Sequence, residues 1–123
     1  MKITKINHNG VDIALVTSDE LLITDVQSAL DLLATVGYEA RTNRIIIDKS
    51  AIDEQFFDLS TRIAGEILQK FINYETKLAI VGDFSTYQSK SLKDFIYESN
   101  NGRDLFFLPD KDQAVEKLSK HKN

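Results

Sequence analysis

The chain has 123 residues, 42% of them apolar and 28% charged, with a formal net charge of −4. That is enough for one compact domain, expected over 1–123, and too ordinary a mixture for a disordered, collagenous or coiled-coil protein. Residues 1–61 carry five basic against ten acidic side chains and 62–123 ten against nine, so no basic face is offered to nucleic acid.

The one basic cluster, Lys117, Lys120 and Lys122, suits the negative end of a helix dipole instead. The absence of cysteine excludes disulfides, thiolate zinc sites and a cysteine nucleophile. No segment approaches the roughly 18 uninterrupted apolar residues of a membrane span, and with no export signal at the N-terminus a cytoplasmic protein is expected.

Alternation around Ile3 and Ile6, the turn Asn7-His8-Asn9-Gly10 and the run Val11 to Val16 predict a β-hairpin, because Asn-Gly tolerates the positive φ of a tight turn. Thr24 with Gln27 matches a capping box, and Ile23, Val26, Ala29, Leu30 and Leu33 recur at helical spacing, predicting a helix over 24–36 that stops at Gly37. Arg44 to Asp48 is a β-branched run without alternation, as in a strand covered on both faces. Asp58 is placed to cap a long helix with Leu59, Ile63, Ala64, Ile67, Leu68, Phe71 and Ile72 inward.

Lys77 to Gly82 is the next buried strand. Ser89 or Ser91 starts a third helix, which Asn100-Asn101-Gly102 is expected to end with a left-handed cap. Asp104 to Leu108 is the last strand, and beyond Pro109 the pair Asp110 and Gln113 caps a short helix carrying Ala114, Val115 and Leu118. Strands and helices that alternate after a hairpin predict an α/β domain with a mostly parallel sheet, right-handed crossovers and the first strand antiparallel at or near one edge.

Ligands of such sheets sit beyond the carboxyl ends of the strands. The polar residues placed there are Asp48 and Lys49, then Asp58, Ser60 and Thr61, then Asp83, Ser85, Ser89 and Lys90. Asp48 and Asp83 end strands that can be neighbours, about 4.8 Å apart, so the pair could share a hard cation such as Mg²⁺; solvated turn residues are the plainer account. Ser60 and Thr61, read as the first turn of a helix, offer a hydroxyl for phosphorylation, or simply a satisfied helix end. Ser89-Lys90-Ser91 could hold an anion, but Ser91 with Asp94 already matches a capping box.

His8 and His121 are the only histidines, in the hairpin turn and the tail, so no Ser-His-Asp set or His-based metal site can be assembled. No cofactor is expected. Phe56, Phe57, Tyr38, Tyr74, Tyr87 and Tyr97 could form a partner patch, though most fit core and rim.

The stretches Asp58 to Phe71 (DLSTRIAGEILQKF), Leu78 to Phe84 (LAIVGDF) and Ser89 to Asn100 (SKSLKDFIYESN) resemble the bacterial family called domain of unknown function 4180, across nearly the whole chain. That resemblance implies no established activity. The element order is similar to that of STAS (SpoIIAA-like) domains, the sulfate-transporter and anti-sigma-antagonist fold, a β-α superhelix with a phosphorylatable serine at a helix start. Ser60 is its counterpart here, with Arg62-Ile63 standing where that motif has a glycine soon after a serine pair. The expectation is a non-enzymatic regulatory module that meets a protein partner around Asp58, Ser60, Asp83 and Ser89. The alternative is a small-molecule or anion-binding protein, or a weak enzyme, with Asp48, Asp83 and Lys90 lining the pocket.

Overall fold

A computed structural model of the chain describes residues 1–120. Strand β1 (Lys2–His8) turns through Asn9 and Gly10 into β2 (Val11–Thr17). Asn9 and Gly10 have φ of 54° and 80°, the left-handed pair that a two-residue hairpin needs. There follow α1 (Val26–Glu39), β3 (Arg44–Asp48), three short 3₁₀ turns (Lys49–Ala51, Glu54–Phe57 and Leu59–Thr61), α2 (Ile63–Asn73), β4 (Lys77–Val81), α3 (Lys90–Asn100), β5 (Leu105–Leu108) and α4 (Lys111–Lys120). The sheet has the strand order β1-β2-β3-β4-β5, with β1 antiparallel to β2 at one edge and every other pair parallel. No helix among the described residues is long and apolar enough to cross a membrane.

The sheet divides the apolar residues by parity. Ala14, Val16, Ile45, Ile47, Leu78, Ile80, Leu105 and Phe107 face one side, where they pack with Ala29, Leu32 and Val36 of α1, Ala64, Ile67 and Phe71 of α2, and Leu92 of α3. Val11, Ile13, Ile46, Ala79 and Phe106 face the other, where α4 alone covers them with Ala114 and Leu118. Because β3, β4 and most of β5 are covered on both faces, they lack polar alternation.

Several ends differ from the sequence-based expectation. The N-cap of α1 is Asp25 rather than Thr24: its side chain accepts the Ser28 N–H at 2.8 Å, and Ser28 Oγ accepts the Asp25 N–H at 3.1 Å. The helix continues through exposed Gly37 to Glu39, held by buried Val36 and the Ala40 N–H bond to the Val36 carbonyl. α3 is capped by Ser89, whose Oγ accepts the Leu92 N–H at 3.2 Å; Asp94 pairs with Lys90 instead of closing a box with Ser91. At its other end Asn101 keeps right-handed φ, and the Gly102 N–H closes on the Ser99 carbonyl, so no left-handed cap forms.

Asp110 and Gln113 cap α4 as expected, through both side-chain and backbone bonds. Lys120 pairs with Glu116 of the same helix, and Lys117 lies over the Phe106 ring, while His121 and Lys122 fall outside the described residues. At the same helix end, buried Arg44 donates to the Leu118 carbonyl, adding a cation where the dipole is negative. His8 closes β1, with Nε2 3.3 Å from Glu116.

The free edge of β5 is guarded by one side chain. The Phe107 N–H donates to Asn100 Oδ1 at 2.7 Å and the Asn100 amide donates to the Phe107 carbonyl at 3.1 Å, so an amide takes the place of a neighbouring strand. Asn100→Ala leaves both backbone groups without that partner and is expected to cost about 1–3 kcal/mol, read as a lower midpoint in chemical denaturation. An unchanged midpoint would show that water serves the edge equally well.

Candidate functional site

All four parallel strands run in one direction, so their carboxyl ends and the loops leaving them gather on one rim. The loops there are tied together before any ligand is considered. Leu22 and Ile23 donate to the Ala51 carbonyl at 2.7 and 3.2 Å, and Asp53 donates to the Ile23 carbonyl at 2.8 Å, extending the β2-β3 pairing outward through an isolated bridge between Ile23 and Ile52.

Along this rim one local device recurs. Asp48, Asp53, Asp58 and Asp83 each accept the N–H two residues on, from Ser50, Gln55, Ser60 and Ser85, at 2.9, 2.9, 3.0 and 2.9 Å. These bonds offer the backbone an alternative to a helix, which is why the segment from 49 to 61 breaks into short turns. The long helix expected from Asp58 is therefore divided. Asp58 caps the turn Leu59–Thr61, the Thr61 hydroxyl donates to the carbonyls of Gln55 and Asp58 at 3.0 and 2.8 Å, and Arg62 takes left-handed φ of 66° before α2 begins without a side-chain cap. Ser60 and Thr61 thus lie on a 3₁₀ turn and not in the first turn of the helix.

An open cleft of about 660 Å³ lies between the ends of β3 and β4. Asp48, Asp53, Glu54 and Asp83 line it, with Leu21 and Ile52 as apolar surface and Lys49 as the one lining cation. Of the residues expected to form a site, Asp48 and Asp83 meet here, whereas Asp58, Ser60, Thr61, Ser89 and Lys90 sit elsewhere on the rim. No group of three or more acidic or histidine side chains among the described residues is arranged to hold a metal ion. Lys90 is drawn off by Asp94 at 2.7 Å, an exposed pair four residues apart on α3.

Lys49, Glu54, Phe57, Gly82, Phe84 and Tyr87 form the most organised part of the rim. The Lys49 ammonium lies 4.6 Å from the Tyr87 ring centroid and 5.9 Å from those of Phe57 and Phe84, and donates to the Asp83 carbonyl at 3.1 Å. Tyr87 stacks on Phe57 with centroids 5.1 Å apart, and its hydroxyl faces both oxygens of Glu54 at 3.1 and 3.0 Å. Burial and the Glu54 carboxylate push the Tyr87 hydroxyl well above the usual phenol range, so it stays protonated and donating. Glu54 and Phe84 carry no sequence signal beyond composition, since only the fold brings 54 and 87 together.

The stem of Lys49 passes over Gly82. A Cβ at Gly82 would stand 2.7 Å from Lys49 Cβ and 3.2 Å from its Cδ, so only glycine permits the crossing. The nearest atom is a Cβ, which moves only with the backbone. Gly82→Ala is expected to cost about 1–3 kcal/mol as an overpacked contact and to shift the ring resonances of Tyr87; unchanged stability and unchanged Tyr87 signals would show that the crossing imposes nothing.

Hydrogen bonds from Ser60 and from Ser85, hydroxyl first and backbone second, hold Asp58 and Asp83 below the ordinary aspartate value of 3.8. A carboxyl depressed in the folded state stabilises the fold above its ordinary value, and that contribution is lost as pH falls through the lower folded value. Thermal unfolding followed below about pH 4 should therefore show acid destabilisation that is shallower in Asp58→Asn and Asp83→Asn than in the unaltered chain; three parallel profiles would contradict the assignment.

Residues 8–118 match the family described as "Domain of unknown function (DUF4180)", which spans every strand and helix of the rim. Compared with curated proteins and with solved structures, the chain has no significant match in either. A match over this much of its length makes the chain a member of the DUF4180 family.

Proposed function

We propose that this chain is a non-enzymatic regulatory module that binds a protein partner at the carboxyl-end rim, and that the partner segment is basic. The observation that supports this most directly is the cleft in which Asp48, Asp53, Glu54 and Asp83 surround a small apolar surface of Leu21 and Ile52. Leu21 is half exposed, at 49%, an apolar foothold beside four negative charges. A basic side chain with an apolar stem suits such a surface, since its methylenes cover the leucine while its charge meets the carboxylates. Anions suit it poorly, because Lys90 is paired with Asp94 and Lys49 is turned onto the rings.

The resemblance to STAS domains belongs to this reading, with Ser60 as its regulatory residue. Ser60 is exposed, and its hydroxyl donates to Asp58 at 2.7 Å. A phosphate there would carry about −1.5 to −2 charges against Asp58 and open the turn Leu59–Thr61. Thr61 ties that turn to the Gln55 carbonyl, next to Glu54 in the cleft wall, so the disturbance has a short path to the binding surface.

The test is affinity capture from the native host with three forms of the protein. A partner held by the unaltered chain should be released by moderate salt and weakened about tenfold, roughly 1.4 kcal/mol, by the paired change Asp53→Asn with Glu54→Gln. Ser60→Asp, which loses the hydroxyl bond to Asp58 and sets a like charge beside it, should weaken it as well while the chain stays folded. Retention of the same partner by all three forms at every salt concentration would remove the support for an acidic docking rim.

A further inference from the structure

The ring cluster beside the cleft is built around a positive charge, and the protein supplies that charge itself. Lys49 reaches Tyr87, Phe57 and Phe84 by lying across Gly82, a route any larger residue would obstruct. Once there its hydrogen bond goes to the neutral Asp83 carbonyl, and its charge reaches the Asp83 carboxylate only through space, although Asp48 and Asp83 line the same cleft. An ammonium beside a ring face is stabilised by the ring quadrupole, and electron-rich Tyr is a better face than Phe. Here the Tyr87 hydroxyl also donates to Glu54, which increases the electron density of the ring and joins the cluster to the cleft wall.

We propose that the face formed by Phe57, Phe84 and Tyr87 is a binding site for an alkylammonium group, the side chain of a lysine or methylated lysine in the partner, and that Lys49 occupies it in the free protein as an internal stand-in. The inference rests on the basic-partner reading and names the anchor within it. The partner's cation enters past Glu54 and Asp83, takes the place over Tyr87, and Lys49 moves to the carboxylates beside it. The exchange conserves charge at each position, a cation on the rings and a cation among the acids. Phe57 is buried and Phe84 and Tyr87 are partly exposed, so the contact Lys49 gives up is a partly desolvated one; the incoming cation restores it on the same rings, and Lys49 gains an ion pair at the wet rim.

Choline and its uncharged isostere 3,3-dimethylbutanol differ at the quaternary centre by one positive charge, and they test the site without any partner. Titrated into isotopically labelled protein, choline is expected to shift the ring resonances of Tyr87 and Phe84 in Lys49→Ala at a concentration at least tenfold lower than in the unaltered chain, while 3,3-dimethylbutanol does not. Lys49→Met retains a stem over Gly82 and serves if the alanine variant loses its fold. Lys49→Arg, which keeps a cation in place, should respond like the unaltered chain. Equal responses to choline and 3,3-dimethylbutanol in the opened variants, or no response to either, would overturn the site. Partner capture that survives such a result would leave the acidic docking rim standing without this anchor. Choline selectivity in Lys49→Ala without capture of any basic partner would keep the ring site and discard the docking rim.

Discussion

Because β2 to β5 pair in chain order and run the same way, right-handed crossovers must return every connecting helix over the same face of the sheet. That single handedness constraint places α1, α2 and α3 together and leaves the opposite face uncovered. α4 is the consequence, one short helix laid over that face with Ala114 and Leu118 against Ile13, Ile46, Ala79 and Phe106. Its C-terminal end meets the start of β3 through Arg44 and the end of β1 through the Glu116–His8 contact, so a helix of ten residues is fixed at several points of the sheet. The same constraint gathers the loops after β2, β3, β4 and β5 at one rim, which is the reason a cleft exists between Asp48 and Asp83 at all.

At that rim the backbone is held by its own acidic side chains. Each aspartate that accepts an N–H two residues on fixes a turn, and at Asp58 and Asp83 the bonds from Ser60 and Ser85 also favour the anion, so there the charge of the rim and the shape of its loops have one cause. A strongly acidic surface would ordinarily recruit the nearest lysine. Lys49 is instead drawn to the rings of Phe57, Phe84 and Tyr87, and the carboxylates of the cleft are held by hydrogen bonds from Ser50, Gln55, Ser85 and Tyr87.

The elements of the core were legible because their signals are local. The run from Arg44 to Asp48 and the run from Lys77 lack alternation, as doubly covered strands must, and Asn9-Gly10 announces its turn by conformation alone. The ends were less legible where two local solutions competed. Asp25 with Ser28 and Thr24 with Gln27 have the same spacing, and packing of Val36 carried α1 through a glycine that ordinarily weakens a helix. At Asp58 the side-chain bond to Ser60 won over helix continuation, which moved Ser60 and Thr61 off the helix. The seven residues expected at the site all end or follow parallel strands at the carboxyl-end rim, but of them only Asp48 and Asp83 share the cleft. Lys49 was visible as a rim residue, whereas its company of Glu54, Gly82, Phe84 and Tyr87 spans more than thirty positions of sequence and follows no period.

What the amino-acid order by itself determined was the alternation of strand and helix, the parallel direction of the buried strands and the acidity of the first half of the chain, all of which depend on neighbours a few positions apart. Which carboxylates face one another, which lysine is withdrawn from them, and which single helix covers the second face were decided only by the tertiary structure. The physical reason is that these depend on the lateral packing of segments whose separation along the chain carries no repeating signal.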